Sequence, residues 1–334
     1  MADSNSAKQF WIRGPRHSEI VEATISPTGP DQVLVRTRFS GISHGTEMLV
    51  YRGLVPESEY RSMRAPFQEG DFPGPVKYGY VSVGEVIEQT PASSGADTRD
   101  LVGRPVFCLY PHQTRYWVPR DAVVPIPDGV PAERAVLAAN METAINAVWD
   151  GGASLGDRVV VVGAGVVGLL IGWLVGRIPG ADVTVVDLNP SREAVAEALG
   201  VSFRGEVPND IDADLVFHAS GNPEGALTAL SAGGEEAKIV EVSWFGSRSV
   251  PLPLGGAFHS RRLTLRSSQV GSISPLRAPR WTARRRLELA LTMLQHAELE
   301  VLISGESDFE GLPDLFQRLE RGSEGPLCHR IGYP

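Results

Sequence analysis

Val159-Val-Val-Val-Gly163-Ala-Gly165-Val-Val-Gly168 is the stretch that decides how this chain is read. Four consecutive valines ahead of a glycine describe a strand buried on both faces, as in a parallel sheet. The Gly-x-Gly-x-x-Gly spacing then predicts a tight turn into a helix whose first amide groups face a diphosphate. Gly163 permits the turn, Gly165 lets the backbone approach the phosphates, and Gly168 lets helix and strand pack closely, with Val166 and Val167 opening the helix beside them. Asp187 follows 24 residues after Gly163, at the end of the next expected strand. Its carboxylate would accept hydrogen bonds from the adenosine ribose and repel a 2′-phosphate, so the expected cofactor is NAD rather than NADP. Arg192 is placed to stack on adenine or to pair with surface carboxylates.

The apolar run continues to Gly176 and is long enough to pass for a membrane span. Its glycines and its opening block of valines fit a buried strand turning into a buried helix instead, and no membrane association is expected. Outward from this point strands and helices alternate. Strands are expected at Arg158–Val162, Asp182–Asp187, Asp214–Ala219, Lys238–Val242 and Leu263–Ser268, with helices to about Arg177 and over Ser191–Leu199. Such alternation implies an α/β fold with a doubly wound parallel sheet. The preceding 125 or so residues read as β-rich, with short runs at Val33–Phe39 and Gly79–Ile87 between Gly, Pro and Ser clusters. Apolar residues at helical spacing over Pro131–Trp149 lead into the nucleotide domain. Beyond Gly271, helices are expected at Trp281–His296 and Leu312–Arg321 and a last strand at Leu327–Ile331, a return leg that closes the first domain. The expected division is therefore 1–129, 130–270 and 271–334, the outer two segments forming one domain.

Composition narrows the function. A length of 334 residues favours two domains. Lys and Arg number 31 against 40 Asp and Glu, a formal net charge of -9, so the basic surplus that nucleic acid binding needs is missing. The 2 cysteines, Cys108 and Cys328, are too few for a disulfide framework or a zinc ribbon, which fits two inert thiols in a reducing compartment. The opening Met1–Ser6 lacks the charged and apolar regions of a secretory leader, so the expected location is cytoplasmic.

The order of parts resembles the medium-chain dehydrogenase/reductase superfamily over nearly the whole chain. Gly41-Ile-Ser-His-Gly-Thr-Glu47 lies where that family has a Gly-Ile-Cys motif, and Gly79-Tyr-Val-Ser-Val-Gly84 where it has Gly-His-Glu. Asp214-Leu-Val-Phe-His-Ala-Ser-Gly221 is similar to its strand before the adenosine-contacting loop, and Thr143 and Ala144 to its Thr-Ala pair beside the nicotinamide. Within the superfamily, Ser43–Glu47 and Gly79-Tyr80 resemble the group related to bacteriochlorophyllide a dehydrogenase. The resemblance implies a GroES-like β-barrel catalytic domain beside the Rossmann domain, a homodimer or homotetramer, a cofactor contact from Ser220, and nicotinamide contacts from Thr143, Ser243 and Trp244, unless Trp244 is a packed core residue.

The departures bear on mechanism. The family's catalytic zinc is held by Cys, His and a further Cys or carboxylate, and here Ser43, Tyr80 and Ala139 or Asn140 stand in those places. The four-cysteine structural lobe is absent too, and His44, Glu47, His112 and Glu142, the one alternative ligand set, lack paired metal-ligand spacing, so no metal is expected. Alkoxide stabilisation and proton transfer then fall to side chains. Tyr80 takes a ligand's place, where Lys77 nearby in sequence would lower its phenol pKa, or it is a core aromatic whose hydroxyl finds a backbone partner. His44 would relay a proton or touch the diphosphate, Ser43 and Thr46 are hydroxyl relays, and Glu47 resembles a carboxylate that braces an arginine or the backbone. Glu142 and Asn140 are expected at the wall of the site. Arg261 or Arg262 would hold an anionic group or simply be solvated, whereas Arg284-Arg-Arg286 is read as surface. The expected activity is a zinc-independent, NAD-dependent oxidoreductase of a secondary alcohol or its ketone. A quinone or enoyl reductase of the same fold, or a catalytically silent nucleotide-binding protein, are the alternatives.

Overall fold

A computed structural model describes residues 6–93, 100–208, 211–322 and 326–334; of the opening segment read above, residues 1–5 lie outside the described residues. The chain divides into two units. The first takes the chain through Ala139 together with Leu291–Gln295 and Ile303–Pro334, and the second takes Asn140–Ala290 and His296–Leu302. The boundary thus falls ten residues later than 129, and the second unit extends past 270, because most of the helix over 283–293 belongs to it rather than to the return leg.

In the first unit the strands are β1 (Ser6–Gly14), β2 (His17–Thr24), β3 (Gln32–Ile42), β4 (Glu69–Gly70), β5 (Val76–Lys77), β6 (Ser82–Gln89), β7 (Pro105–Cys108), β8 (Arg115–Pro119) and β9 (Val123–Pro125), with helix α1 (His44–Tyr51) after β3. Helices α2 (Ala132–Ala135) and α3 (Ala138–Gly151) replace the single helix expected over Pro131–Trp149. β2-β1-β5-β4 form one small sheet. The larger sheet runs β16-β17-β3-β6-β7-β9, with β8 also pairing β3, where β16 (Ile303–Asp308) and β17 (Cys328–Gly332) come from the end of the chain. β17 lies antiparallel to β3, with Arg330 opposite Gly41 and His329 opposite Ile42, so the return leg buttresses the strand that delivers Ser43 and α1. Val33, Val35, Val86, Val106, Cys108, Tyr116 and Val118 alternate inward to form the core of this sheet. Both thiols are buried and free, and burial pushes each up to about 12, as suits inert cysteines.

The second unit holds β10 (Arg158–Val162), α4 (Val166–Val175), β11 (Asp182–Val186), α5 (Glu193–Ala198), β12 (Ser202–Arg204), β13 (Ala213–His218), α6 (Pro223–Ala232), β14 (Gly233–Glu241), α7 (Ala257–Ser260), β15 (Thr264–Ser267) and α8 (Ala283–Met293); α9 (Leu312–Arg321) belongs to the first unit. Its sheet is parallel throughout, in the order β12-β11-β10-β13-β14-β15. The order reverses between β10 and β13, and ligands of open parallel sheets enter at the carboxyl ends of the strands flanking such a reversal. Val160, Val162, Val186, Val216 and Ile239 pack beneath α6 in the core. The apolar run from Val159 is split between β10 and α4, and no described helix is long and apolar enough to cross a membrane.

Candidate active site and nucleotide-binding loop

The glycine-rich turn is built around three different constraints. Gly163 has φ +110, and a Cβ there would lie 2.6 Å from the Ser220 backbone nitrogen, so the position excludes side chains twice over. At Gly168 a Cβ would fall 1.9 Å from the Gly163 carbonyl oxygen, which is how closely α4 approaches the end of β10. Gly165 differs: its backbone is in the ordinary extended region, φ -75 and ψ 178, and nothing stands within 4 Å of its ideal Cβ. The protein itself would tolerate a side chain at 165, and the open space over it adjoins the first turn of α4, whose N-cap offers no side-chain hydrogen bond. Free amide groups at a helix N-terminus beside an uncrowded glycine fit a nucleotide diphosphate. Asp187 sits against the same turn, accepting the Ala164 amide hydrogen at 2.7 Å and that of Asn189 at 2.8 Å. Ser220 is exposed at the end of β13 beside Gly163, and Ser243 is linked to it through the Gly221 amide, which donates to Ser243 Oγ at 3.0 Å. Thr143 on α3, Arg192 in the turn after Asp187 and Trp244 after β14 are half-buried.

In the first unit, Ser43 is the N-cap of α1, yet its hydroxyl caps nothing. Glu47 does that work instead, accepting the Ser43 amide hydrogen at 2.8 Å through one carboxylate oxygen, while the other meets His112 Nε2 at 2.9 Å. Glu47 therefore braces the backbone as expected, with a buried histidine where the family has an arginine. His112 Nδ1 lies 2.7 Å from Ser40 Oγ, which is 3.0 Å from the Tyr333 hydroxyl. If Glu47 is ionised, each member of this buried chain donates toward the carboxylate: Tyr333 to Ser40, Ser40 to His112, His112 to Glu47. Gly79, at φ +131, leaves room for the His112 ring, whose Cδ2 would be 3.0 Å from a Cβ there; the next residue, Tyr80, turns toward α1.

The hydroxyls of Ser43 and Thr46 lie close enough to the Tyr80 phenol for each to pull its pKa down. Burial first, and the nearby Glu47 charge second, push that phenol up to about 12, against the pull of the two hydroxyls. This reverses the lowering expected from Lys77. Lys77 is wholly buried, with its ammonium on Glu69 Oε1 at 2.5 Å and Gln113 Oε1 at 2.7 Å and over the Tyr110 ring at 5.3 Å. Burial lowers its own pKa, and it takes no part in the tyrosine cluster. Adjacency in sequence misled because the side chain of Lys77 is spent on cross-strand partners. His44 opens α1 beside Ser43 and is half-buried.

Two expectations in the second unit need correcting. Glu142 is committed to Arg286 at 3.0 Å, both nearly fully buried; burial raises its pKa while the guanidinium pulls it down. Arg286, 2% exposed, also donates to Asn146 Oδ1 at 2.5 Å and to the Val270 carbonyl, so it is an interior residue rather than surface. Arg261 donates to the Gly233 carbonyl at 2.7 Å and Arg262 pairs with Glu236, which leaves them as loop braces. Among the described residues no three His, Cys, Asp or Glu side chains gather as a metal site would require.

No family model matches the chain. By sequence it is 23% identical over 333 residues to a D-guloside 3-dehydrogenase of Escherichia coli K12, covering 93% of this chain and 95% of that protein. A short chain alcohol dehydrogenase of Escherichia coli CFT073, solved with NADH, superposes with a TM-score of 0.76 at 18% identity over 98% of this chain and 100% of the other. A zinc-binding dehydrogenase from Sinorhizobium meliloti 1021 solved with NADP gives 0.75 at 17% identity over 98% and 99%. The chain is thus similar from end to end to a dehydrogenase sequence and shares the fold of these solved dehydrogenases.

Proposed function

We propose that the chain is a zinc-independent, NAD-dependent oxidoreductase that moves hydride between a secondary alcohol or its ketone and nicotinamide. The observation that carries the reading is the cluster of three hydroxyls, Tyr80 with Ser43 and Thr46, above a buried Glu47. Thiolate, imidazole and carboxylate are the ligands zinc takes; neutral hydroxyls at Ser43 and Tyr80 are poor substitutes. Nicotinamide, when bound, gives or takes the hydride. The proton is the side chains' task. A phenol held at about 12 stays protonated across the neutral range, so it hydrogen-bonds a ketone oxygen and yields its proton as that oxygen becomes an alkoxide, a much stronger base. Ser43 and Thr46 then stabilise the phenolate. Glu47 acts through Tyr80, keeping the phenol neutral, and is a positioning residue. Asp187 beside the glycine turn supports NAD, because an anionic carboxylate there favours ribose hydroxyls over a phosphate. A cytoplasmic homodimer or homotetramer belongs to the same proposal, on the strength of the family resemblance.

The test is turnover on a panel of secondary alcohols and ketones, followed by nicotinamide absorbance before and after dialysis against a chelator. Activity should survive chelation, and Tyr80→Phe should lower kcat by about 10²-fold or more with nucleotide affinity nearly unchanged. One tightly bound zinc per chain, lost together with activity, overturns zinc independence; full turnover in Tyr80→Phe overturns the role of the phenol. Asp187→Ala should weaken NAD more than NADP, and an unchanged ratio removes it from the specificity argument.

A further inference from the structure

At the carboxyl ends of β13 and β14, three side chains stand in line, one of them Ser220, expected above to contact the cofactor when it is bound. Glu241 Oε2 lies 2.7 Å from His218 Nδ1, and His218 Nε2 lies 2.7 Å from Ser220 Oγ. The carboxylate fixes the tautomer: with the Nδ1 hydrogen given to Glu241, the Nε2 lone pair faces the Ser220 hydroxyl and accepts its proton. We propose that Ser220 is an activated nucleophile, and that the nucleotide-free protein hydrolyses small activated carboxylic esters through an acyl-Ser220 intermediate.

The surroundings hold this geometry. Glu241 is fixed from its other oxygen by the Ser243 amide, which donates at 2.8 Å. The His218 side chain is fully buried, with the Phe245 ring stacked at 5.9 Å, whereas Ser220 is exposed. A base and its orienting carboxylate sheltered behind a reachable hydroxyl is the arrangement nucleophilic catalysis requires. Gly225, in the first turn of α6, leaves room for the pair: a Cβ there would lie 2.2 Å from Ser220 Oγ and 2.7 Å from His218 Nε2. The Asn222 amide donates to Ser220 Oγ at 3.2 Å and helps fix the hydroxyl's position.

The chemistry closes without a redox partner. Ser220 Oγ bonds to the ester carbonyl carbon as its proton passes to His218 Nε2. The bond from that carbon to the leaving oxygen breaks, and the departing alcohol takes the proton from His218. Water then adds to the acyl carbon, its proton passing to His218, and cleavage of the acyl–Oγ bond with return of that proton releases the carboxylic acid and restores Ser220.

The experiment uses the full chain without nucleotide, so its outcome is independent of the dehydrogenase reading. p-Nitrophenyl acetate hydrolysis is measured, and a fluorophosphonate probe is mapped by peptide mass spectrometry. The adduct is expected on Ser220, with saturable ester turnover lost in Ser220→Ala and both rates down by on the order of a hundredfold or more in His218→Gln. Should His218→Gln fail to fold, the near-isosteric Glu241→Gln carries the same comparison. A probe that ignores Ser220, or labels it equally fast in the folded His218 or Glu241 variant, overturns the proposal.

Discussion

The nucleotide loop and the hydroxyl cluster are specified by different parts of the chain. The loop is a backbone device: Gly163 and Gly168 are excluded from bearing side chains by the protein, whereas nothing in the chain crowds Gly165. The cluster around Tyr80 is a side-chain device, set by which groups three separate segments bring to α1: Ser43 at its start, Tyr80 after Gly79, and His112 between β7 and β8. Backbone devices impose a pattern on neighbouring residues, so they are visible along the sequence. Side-chain devices leave no spacing to read.

The sharpest way to break this contrast is to treat two glycines of one loop alike. Gly168→Ala drives a methyl group into a backbone carbonyl that cannot move aside, and should cost on the order of 4 kcal/mol or more. Gly165→Ala should shift stability by under about 0.5 kcal/mol and yet weaken NAD by about tenfold or more. Thermal denaturation with nucleotide titration separates the two. Equal stability losses would mean that Gly165 is structural after all, and undiminished NAD affinity in Gly165→Ala would move the diphosphate off the loop.

In the other region the buried pair is the test. Removing His112 leaves Glu47 with its charge sealed in and only the Ser43 amide as partner, so His112→Ala should destabilise by roughly 3–5 kcal/mol, read from denaturant midpoints. A cost under about 1 kcal/mol would show that Glu47 does not depend on His112, and the buried pair would be withdrawn as a support of the Tyr80 cluster.

How much of this was legible follows the same division. β10 begins and ends as the four valines and Gly163 require, and the strand-helix alternation from Asp157 onward is present with ends shifted by one to a few residues. The β1–β2 hairpin and β16 were missed because their alternation is diluted by charged residues on an exposed face, as in Ile303-Ser-Gly-Glu-Ser-Asp308. Tyr80 was found because a family ligand position pointed to it, but the sign of its pKa shift was not, since burial and Glu47 act from outside its own segment. Arg286 hides in a run of three arginines, and only the packing of α8 shows that one of them is interior. The Ser220–His218–Glu241 line had one signal, a histidine ending an apolar strand, Leu215-Val-Phe-His218, where a buried imidazole needs partners on both nitrogens.

The smallest effect sharpens the comparison most directly, because it reads the Tyr80 environment without any assay of turnover. The Tyr80 phenol ordinarily titrates at 10.0 and is held up to about 12 in the folded chain, so between those values the folded state keeps a proton that the unfolded state has released. Stability must therefore fall as pH rises through that window, and this one side chain accounts for roughly 2–3 kcal/mol of the fall. Other buried tyrosines, Tyr116 among them, contribute in the same direction, so the informative quantity is a difference. Tyr80→Phe should lose less stability than the parent between pH 10 and 12, and the two should run parallel below pH 9. Parallel curves across the whole alkaline range would mean that the phenol is not held neutral, and would return the proton-donor role to Ser43, Thr46 or His44.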